Sequence, residues 1–197
     1  MEDVYFEKEA NRMNGKIVVY TGPMFSSKSI MMFFAHERGM IAEKKVLAFK
    51  PKKDNRFGDN EIRSRSYEQA ITAINISNIS ELLNYDADVY IIDEFQFLEG
   101  DVLIIQDMAN SGKIFHISGL DMTAEGKPFG QMPYLLAIAD QVNKQVAVCN
   151  DCKQENGTIS FFLGKKTEDV RVGDREYIPL CRFCWKRRME MKEKGVI

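Results

Sequence analysis

Four short apolar runs punctuate the first two-thirds of the chain: KIVVYTG (16–22), KVLAFKP (45–51), DVYIIDE (88–94) and KIFHISGLD (113–121). Each is rich in β-branched or aromatic residues and closes on a glycine, a proline or a pair of acids, the reading of a buried strand. Between the first two, SIMMFFAHERGMIAEKK (29–45) has helical length and composition, with Gly39 as a weak point. Shorter helical stretches fit at 79–83 and 102–108. Strands alternating with helices predict an α/β fold, a parallel sheet with helices on its faces. The pattern changes character near Gln145, where AIADQVNKQVAVCNDC leads into two cysteine pairs separated by a charged, strand-like segment. A domain boundary is expected there. No internal repeat or low-complexity stretch interrupts the chain.

Composition narrows the function without naming one. The chain has 197 residues, 45% hydrophobic and 28% charged, enough for one sizeable core and a small satellite. Its net charge of −2 argues against a bulk nucleic-acid binder, which needs a basic face. The basic run Lys186-Arg187-Arg188 reads as a solvated helix face. The N-terminal MEDVYFEKEANRMNG lacks the charged-then-apolar order of a signal peptide, and no apolar run has the length of a membrane span. A cytoplasmic protein with reduced thiols and no membrane partner is expected.

The first strand runs into GPMFSSKS (22–29), close to the phosphate-binding pattern G-x-x-x-x-G-K-[ST]. Gly22, Lys28 and Ser29 are in place, and Ser27 stands where the pattern has glycine. A glycine turn between a buried strand and a helix lets backbone N–H groups, here of Pro23–Ser27 less the proline, converge on phosphate oxygens, and the helix dipole favours the anion. Lys28 would reach the outer phosphates and the Ser29 hydroxyl would help hold Mg²⁺. If the turn requires left-handed backbone at Ser27, serine costs about 1–2 kcal/mol there. Met24, Phe25 and Ser26 complete the loop.

Asp93 and Glu94 end the third strand. An isolated acidic pair is usually a solvated strand end. With a phosphate loop in the same sheet, the carboxyl end of a parallel strand faces the ligand crevice. Asp93 can then bind Mg²⁺ through water and Glu94 can take a proton from an attacking hydroxyl. Asp54 and Arg56 in FKPKKDNRF follow the second strand and reach the same edge. Alone they read as a polar turn; beside phosphate, Arg56 could neutralise charge and Asp54 could join the metal network.

Cys149 and Cys152 form one C-x-x-C, and Cys181 and Cys184 a second. Two such knuckles in a reducing compartment point to a tetrahedral four-thiolate zinc site, closed to substrate and therefore structural. Residues 153–180 between them exceed a compact ribbon, so a long loop should hang from the metal.

Together these motifs resemble the type II thymidine kinases, the cellular and poxviral family with a zinc-held lasso. The likeness runs from Gly15 to Trp185. GPMFSSKS is similar to the family's GPMFSGKS, DNRF to D-x-R-[YF], DEFQF to DE-x-QF, GLD…KPFG (119–130) to GLD-x-x-F…PFG, and AVCNDC and YIPLCRFC to the zinc knuckles with the lasso tyrosine. The resemblance implies a phosphate-loop sheet with helices on both faces over residues 1–145, a nucleotide-binding kinase domain, and a zinc-binding lasso domain over 146–197. It implies transfer of the ATP γ-phosphate to the 5′-hydroxyl of a deoxynucleoside, thymidine giving dTMP, for DNA synthesis. Glu94 would be the general base, with Lys28, Ser29 and Arg56 at the phosphates and Mg²⁺. Phe97, Leu120 and Phe129 would line the base pocket and Tyr177 would close over the nucleoside. Cofactors would be Mg²⁺ with ATP and structural Zn²⁺; the assembly would be a homotetramer. Ser27, Ala124 in place of the pocket's usual aromatic ring, Arg65 near the usual histidine, and a lasso without A-x-[FY]-T-x-R depart from the family pattern. The alternatives are a catalytically weak or inactive nucleotide-binding protein of the same fold and a zinc-ribbon nucleic-acid binder. Retention of Lys28, Ser29, Asp93, Glu94, Asp54 and Arg56 argues against the first, the acid-lined crevice against the second.

Overall fold

The computed structural model describes residues 15–54, 60–63, 70–164 and 176–196. In chain order these form β1 (Lys16–Thr21), α1 (Lys28–Ile41), β2 (Val46–Pro51), β3 (Glu61–Arg63), β4 (Ala70–Thr72), β5 (Ile74–Ile76), a 3₁₀ turn (Ile79–Asn84), β6 (Val89–Ile92), a second 3₁₀ turn (Phe95–Phe97) and α2 (Leu103–Asn110). They continue with β7 (Ile114–Gly119), α3 (Met132–Ile138), β8 (Gln141–Lys144), β9 (Ile159–Phe162), β10 (Tyr177–Leu180) and α4 (Arg182–Glu193).

The main sheet has the order β5-β2-β6-β7-β1-β8, and every pairing in it is parallel. Alternate side chains of each strand enter opposite cores. Ile17, Val19, Phe49, Tyr90 and Ile92 pack with Ile105 and Ala109 of α2 and Met132 and Leu135 of α3. Val18, Tyr20, Ala48, Val89 and Ile91 pack with Met32, Phe33 and Ala35 of α1. Cover on both faces explains why the central strands read as unbroken apolar runs. Tyr90 of β6 stacks between Phe49 and Phe115, with ring centroids 5.8 and 4.9 Å away.

The structure refines the sequence reading in several places. The stretch at 79–83 is a 3₁₀ turn rather than an α-helix. Asn78 caps it, accepting from the Ser80 N–H, while the Glu81 carboxylate reaches back to the Asn78 N–H. Helix α1 continues through Gly39, which is buried against Val46, so that residue is no weak point. Strands β5 and β8 and helix α3 did not stand out in the sequence. Strand β8 is an edge, mostly exposed, and carries no apolar run. Beyond it a third apolar cluster gathers Cys149, Phe161, Leu180, Cys181 and Cys184. It is held by the antiparallel β9–β10 pair and by α4. Among the described residues no helix is long and apolar enough to cross a membrane.

Candidate active site

Because the sheet is parallel, the segments leaving β1, β2, β6 and β7 emerge at one edge, and the candidate residues lie on them. The loop after β1 starts at Gly22 and ends at Ser27, the N-cap of α1. Ser27 sits at φ 64°, ψ 23° and Phe25 at φ 65°, both left-handed. The position where the pattern has glycine therefore does adopt the conformation that glycine favours. Ser26 is buried and donates to the Pro23 carbonyl at 2.8 Å. Lys28 folds back over the same loop, its Nζ 2.6 Å from the Pro23 oxygen and 3.4 Å from Ser26 Oγ. The cation thus lies across the loop next to the first N–H groups of α1, a concentration of positive potential fit for phosphate. The Met24 N–H donates to Ser160 Oγ of β9 at 2.9 Å.

At the end of β6, Asp93 is buried and Glu94 half-buried. Asp93 Oδ1 accepts from the Ser118 hydroxyl of β7 and from the Glu94 N–H at 3.0 Å. Glu94 has φ 52°, ψ 40°. Left-handed backbone on a non-glycine residue costs on the order of 1–3 kcal/mol, and such strain concentrates at functional sites. Its carboxylate Oε2 accepts from the Gln96 amide at 2.6 Å. After β2, Asp54 is buried and its Oδ2 lies 3.6 Å from Nζ of Lys50, a lysine only 1% exposed. Arg56 and Arg65 lie outside the described residues.

The aromatic candidates meet next to Glu94. Phe97 and Phe129 contact edge to face, with centroids 5.5 Å apart at 85°. The Leu120 N–H donates to Gln96 Oε1 at 2.9 Å, which ties the segment after β7 to the turn that carries Phe97. All three side chains are half-buried, the state of pocket walls rather than of core. Tyr177 lies in β10, where its ring packs on Phe162 with centroids 5.1 Å apart. The lasso tip between residues 164 and 176 lies outside the described residues.

The four cysteine sulfurs lie within 4.8 Å of one another, and all four thiols are free. Burial pushes the Cys149 thiol up, but backbone N–H donors of Cys152, Cys181 and Asp151 outweigh it and bring it down to about 6. Burial and the adjoining sulfurs push Cys184 up to about 12. Sulfurs this close can all be deprotonated only with a cation among them, and an all-sulfur tetrahedral set suits zinc. Cys181 Sγ caps α4 by accepting from the Cys184 N–H at 3.4 Å. Arg188 grips Asp151 with two hydrogen bonds of 2.7 and 2.8 Å, and its guanidinium holds that carboxyl below the usual range.

Helix α4 also reaches the loop that follows β7. Its Trp185 donates the indole N–H to the Ala124 carbonyl at 2.9 Å and lies against Gly126. Helix α4 thus sets an indole against the loop that carries Ala124. Gln96, Ser118, Ser160 and Trp185 were not among the sequence candidates. Only Gln96 carried a signal, its place inside DEFQF. The others act through tertiary contacts that no local pattern announces.

Comparison with known proteins places this geometry in a family. A family model described as thymidine kinase matches residues 15–185. A thymidine kinase of Bacteroides thetaiotaomicron is 37% identical over 182 residues, covering 91% of each chain. One from Mycoplasma mobile is 40% identical over 183 residues, again covering 91% of each, and one from Onion yellows phytoplasma is 39% identical over 178 residues, covering 85% of each.

Proposed function

Since this chain belongs to the thymidine kinase family and is an ATP-dependent deoxynucleoside kinase, we propose that Glu94 is the general base that takes the proton of the thymidine 5′-hydroxyl. The supporting observation is one shared edge of parallel strands. There the phosphate loop, a buried Asp93 and a backbone-strained Glu94 adjoin a half-buried aromatic pair. Phosphoryl transfer of this kind rests on positioning and on neutralising charge.

In this reading the Gly22–Ser29 loop cradles the ATP phosphates through backbone N–H groups and Lys28, and Arg56 neutralises phosphate charge. The donor set at this edge, hydroxyl and carboxylate oxygens, suits a hard cation. Ser29 and Asp93, with Asp54, would hold Mg²⁺, which supplies further neutralisation of phosphate charge. Phe97, Leu120 and Phe129 form walls for the base, and Tyr177 closes over the nucleoside from the lasso side. Cys149, Cys152, Cys181 and Cys184 would hold one structural Zn²⁺, leaving no ligand position for substrate. We place the division between the kinase domain and the lasso domain near residue 145, the protein in the cytoplasm, and its assembly as a homotetramer without nucleic-acid or membrane partners. Sedimentation of the zinc-loaded protein checks the assembly.

A phosphorylation assay with ATP and a panel of deoxynucleosides tests the function. Thymidine is expected to be turned over fastest. Absence of turnover with every nucleoside, from zinc-loaded protein that binds ADP, would leave only a silent nucleotide-binding protein. No observation of the site favours that outcome.

Two further results are expected. Ser27→Gly relieves the left-handed strain of about 1–2 kcal/mol, so kcat/KM for ATP should rise roughly five- to thirty-fold. Calorimetric titration with ADP and Mg²⁺ compares the two loops directly. No detectable binding to the serine loop at millimolar nucleotide would mean that the cradle does not work as drawn. Trp185→Phe keeps the ring stack on Gly126 but loses the hydrogen bond to the Ala124 carbonyl. At about 0.5–1.5 kcal/mol for such a bond, thymidine affinity should fall roughly two- to twelve-fold, with ADP affinity unchanged.

A further inference from the structure

Gln96 occupies a position that the reading above leaves without a task. It is 3% exposed, in the 3₁₀ turn that begins next to Glu94. Its Nε2 donates to Glu94 Oε2 at 2.6 Å, and its Oε1 accepts from the Leu120 N–H at 2.9 Å. The two partners dictate the orientation of the amide, because a carboxylate oxygen can only accept and a backbone N–H can only donate. A carboxyl group in its ionised form has no donor, and an ammonium has no acceptor. An amide offers both on one planar group.

The surroundings leave room for this residue, its side chain at one glycine and its backbone at another. At Gly119 an added Cβ would lie 2.9 Å from Gln96 Oε1 and 2.8 Å from Met132 Sδ. At Gly130 it would lie 2.4 Å from the Gln96 backbone oxygen. Three sequence segments, DEFQF, GLD and KPFG, therefore close around Gln96: the glycines of the second and third admit it, and the second supplies its donor.

We propose that Gln96 is a positioning residue that couples the nucleoside pocket to the catalytic carboxylate, so that the loop carrying Leu120 and the carboxylate of Glu94 move as one unit. The proposal rests on the reading of Glu94 as the base. With Leu120 against the nucleobase and Glu94 at the 5′-hydroxyl, a single buried amide fixes the distance between the base-binding wall and the proton acceptor.

The test compares Gln96→Glu, Gln96→Leu and Glu94→Gln with the parent, all zinc-loaded. The readouts are kcat and KM for thymidine and ATP from pH 5.5 to 9.5, and calorimetric affinities for thymidine and for ADP with Mg²⁺. Gln96→Glu keeps the shape but sets a second carboxylate against Glu94, and two carboxylates this close share a proton. Its kcat at pH 7 should fall about ten- to hundredfold and recover as pH rises, with the acid limb of the profile displaced upward by a unit or more. Gln96→Leu loses both bonds. Its kcat should fall by about the same factor at every pH and its thymidine affinity should drop, while ADP affinity stays within twofold. A Gln96→Glu enzyme with the parent's pH profile and a kcat within threefold of it overturns the coupling. So does a Gln96→Leu enzyme in which ADP affinity falls as far as thymidine affinity, the mark of a general packing defect. Should Glu94→Gln retain activity within a few-fold of the parent, the base assignment itself falls. If Glu94→Gln is inactive and the Gln96 variants behave as the parent, only the coupling falls.

Discussion

Glu94→Gln is expected to lower kcat for thymidine phosphorylation by roughly 10²–10⁴-fold, the usual cost of removing a general base. The amide keeps the volume of the side chain and its place at the end of β6, but it cannot take the proton of the 5′-hydroxyl. Affinity for thymidine and for ADP should stay close to the parent, because the phosphate loop and the Phe97–Phe129 pair are untouched. One adjustment is required. The Gln96 Nε2 now donates to Glu94 Oε2 at 2.6 Å, and the new side chain must present its own oxygen there rather than its NH₂. That flip is available to an amide, so binding survives while chemistry does not. Turnover within a few-fold of the parent would remove Glu94 from the role of base.

Loss of the metal is expected to have the second large effect. Metal analysis should return one zinc per chain. Structural zinc contributes about 10–16 kcal/mol of apparent binding free energy in small peptide sites at neutral pH, most of it folding free energy. Chelation or Cys181→Ser should therefore melt the β9–β10–α4 module well below the melting temperature of the main sheet. The damage should spread. Trp185 holds the loop at Ala124, and Ser160 holds the Met24 N–H of the phosphate loop. Thymidine affinity should fall most, and ADP affinity should fall measurably as well. A purified protein that lacks zinc and has Cys149 in a disulfide would contradict the assignment. So would a Cys181→Ser protein with unchanged melting and unchanged nucleoside affinity.

What could be read in advance followed the physics of each element. The strands containing Val18, Ala48, Ile91 and Ile117 are covered on both faces, so their apolar runs are continuous and their order with the helices implies a parallel sheet. The phosphate loop and the cysteine pairs are legible because their chemistry requires particular atoms at short spacings. Strand β8 was hidden because three of its four residues face solvent and an edge strand needs no apolar signature. The 3₁₀ turn at Ile79–Asn84 looks like an ordinary helix start in the sequence, since its Asn78–Glu81 capping box is the same and six residues are too few for periodicity to separate the two. Gln96, Ser118, Ser160 and Trp185 became meaningful only when distant segments met. Ser160, for instance, touches a residue 136 positions away.

The strand order has a consequence for the birth of the molecule. Strand β1, the earliest described strand, lies between β7 and β8, and its registered partners begin at Ile114 and Gln141. Its backbone thus waits for more than half of the chain before either edge can be paired. At a synthesis rate of about 5–20 residues per second, that delay lasts several seconds. During it, β2, β5 and β6 can already assemble, while Ile17 to Tyr20 present an apolar ribbon with two open edges. Such a ribbon is a template for pairing with other chains. Release of the chain before Ile114 should therefore yield aggregates rather than a partial fold, and the rate of productive folding should be set by how soon the last parallel crossovers close around the first strand.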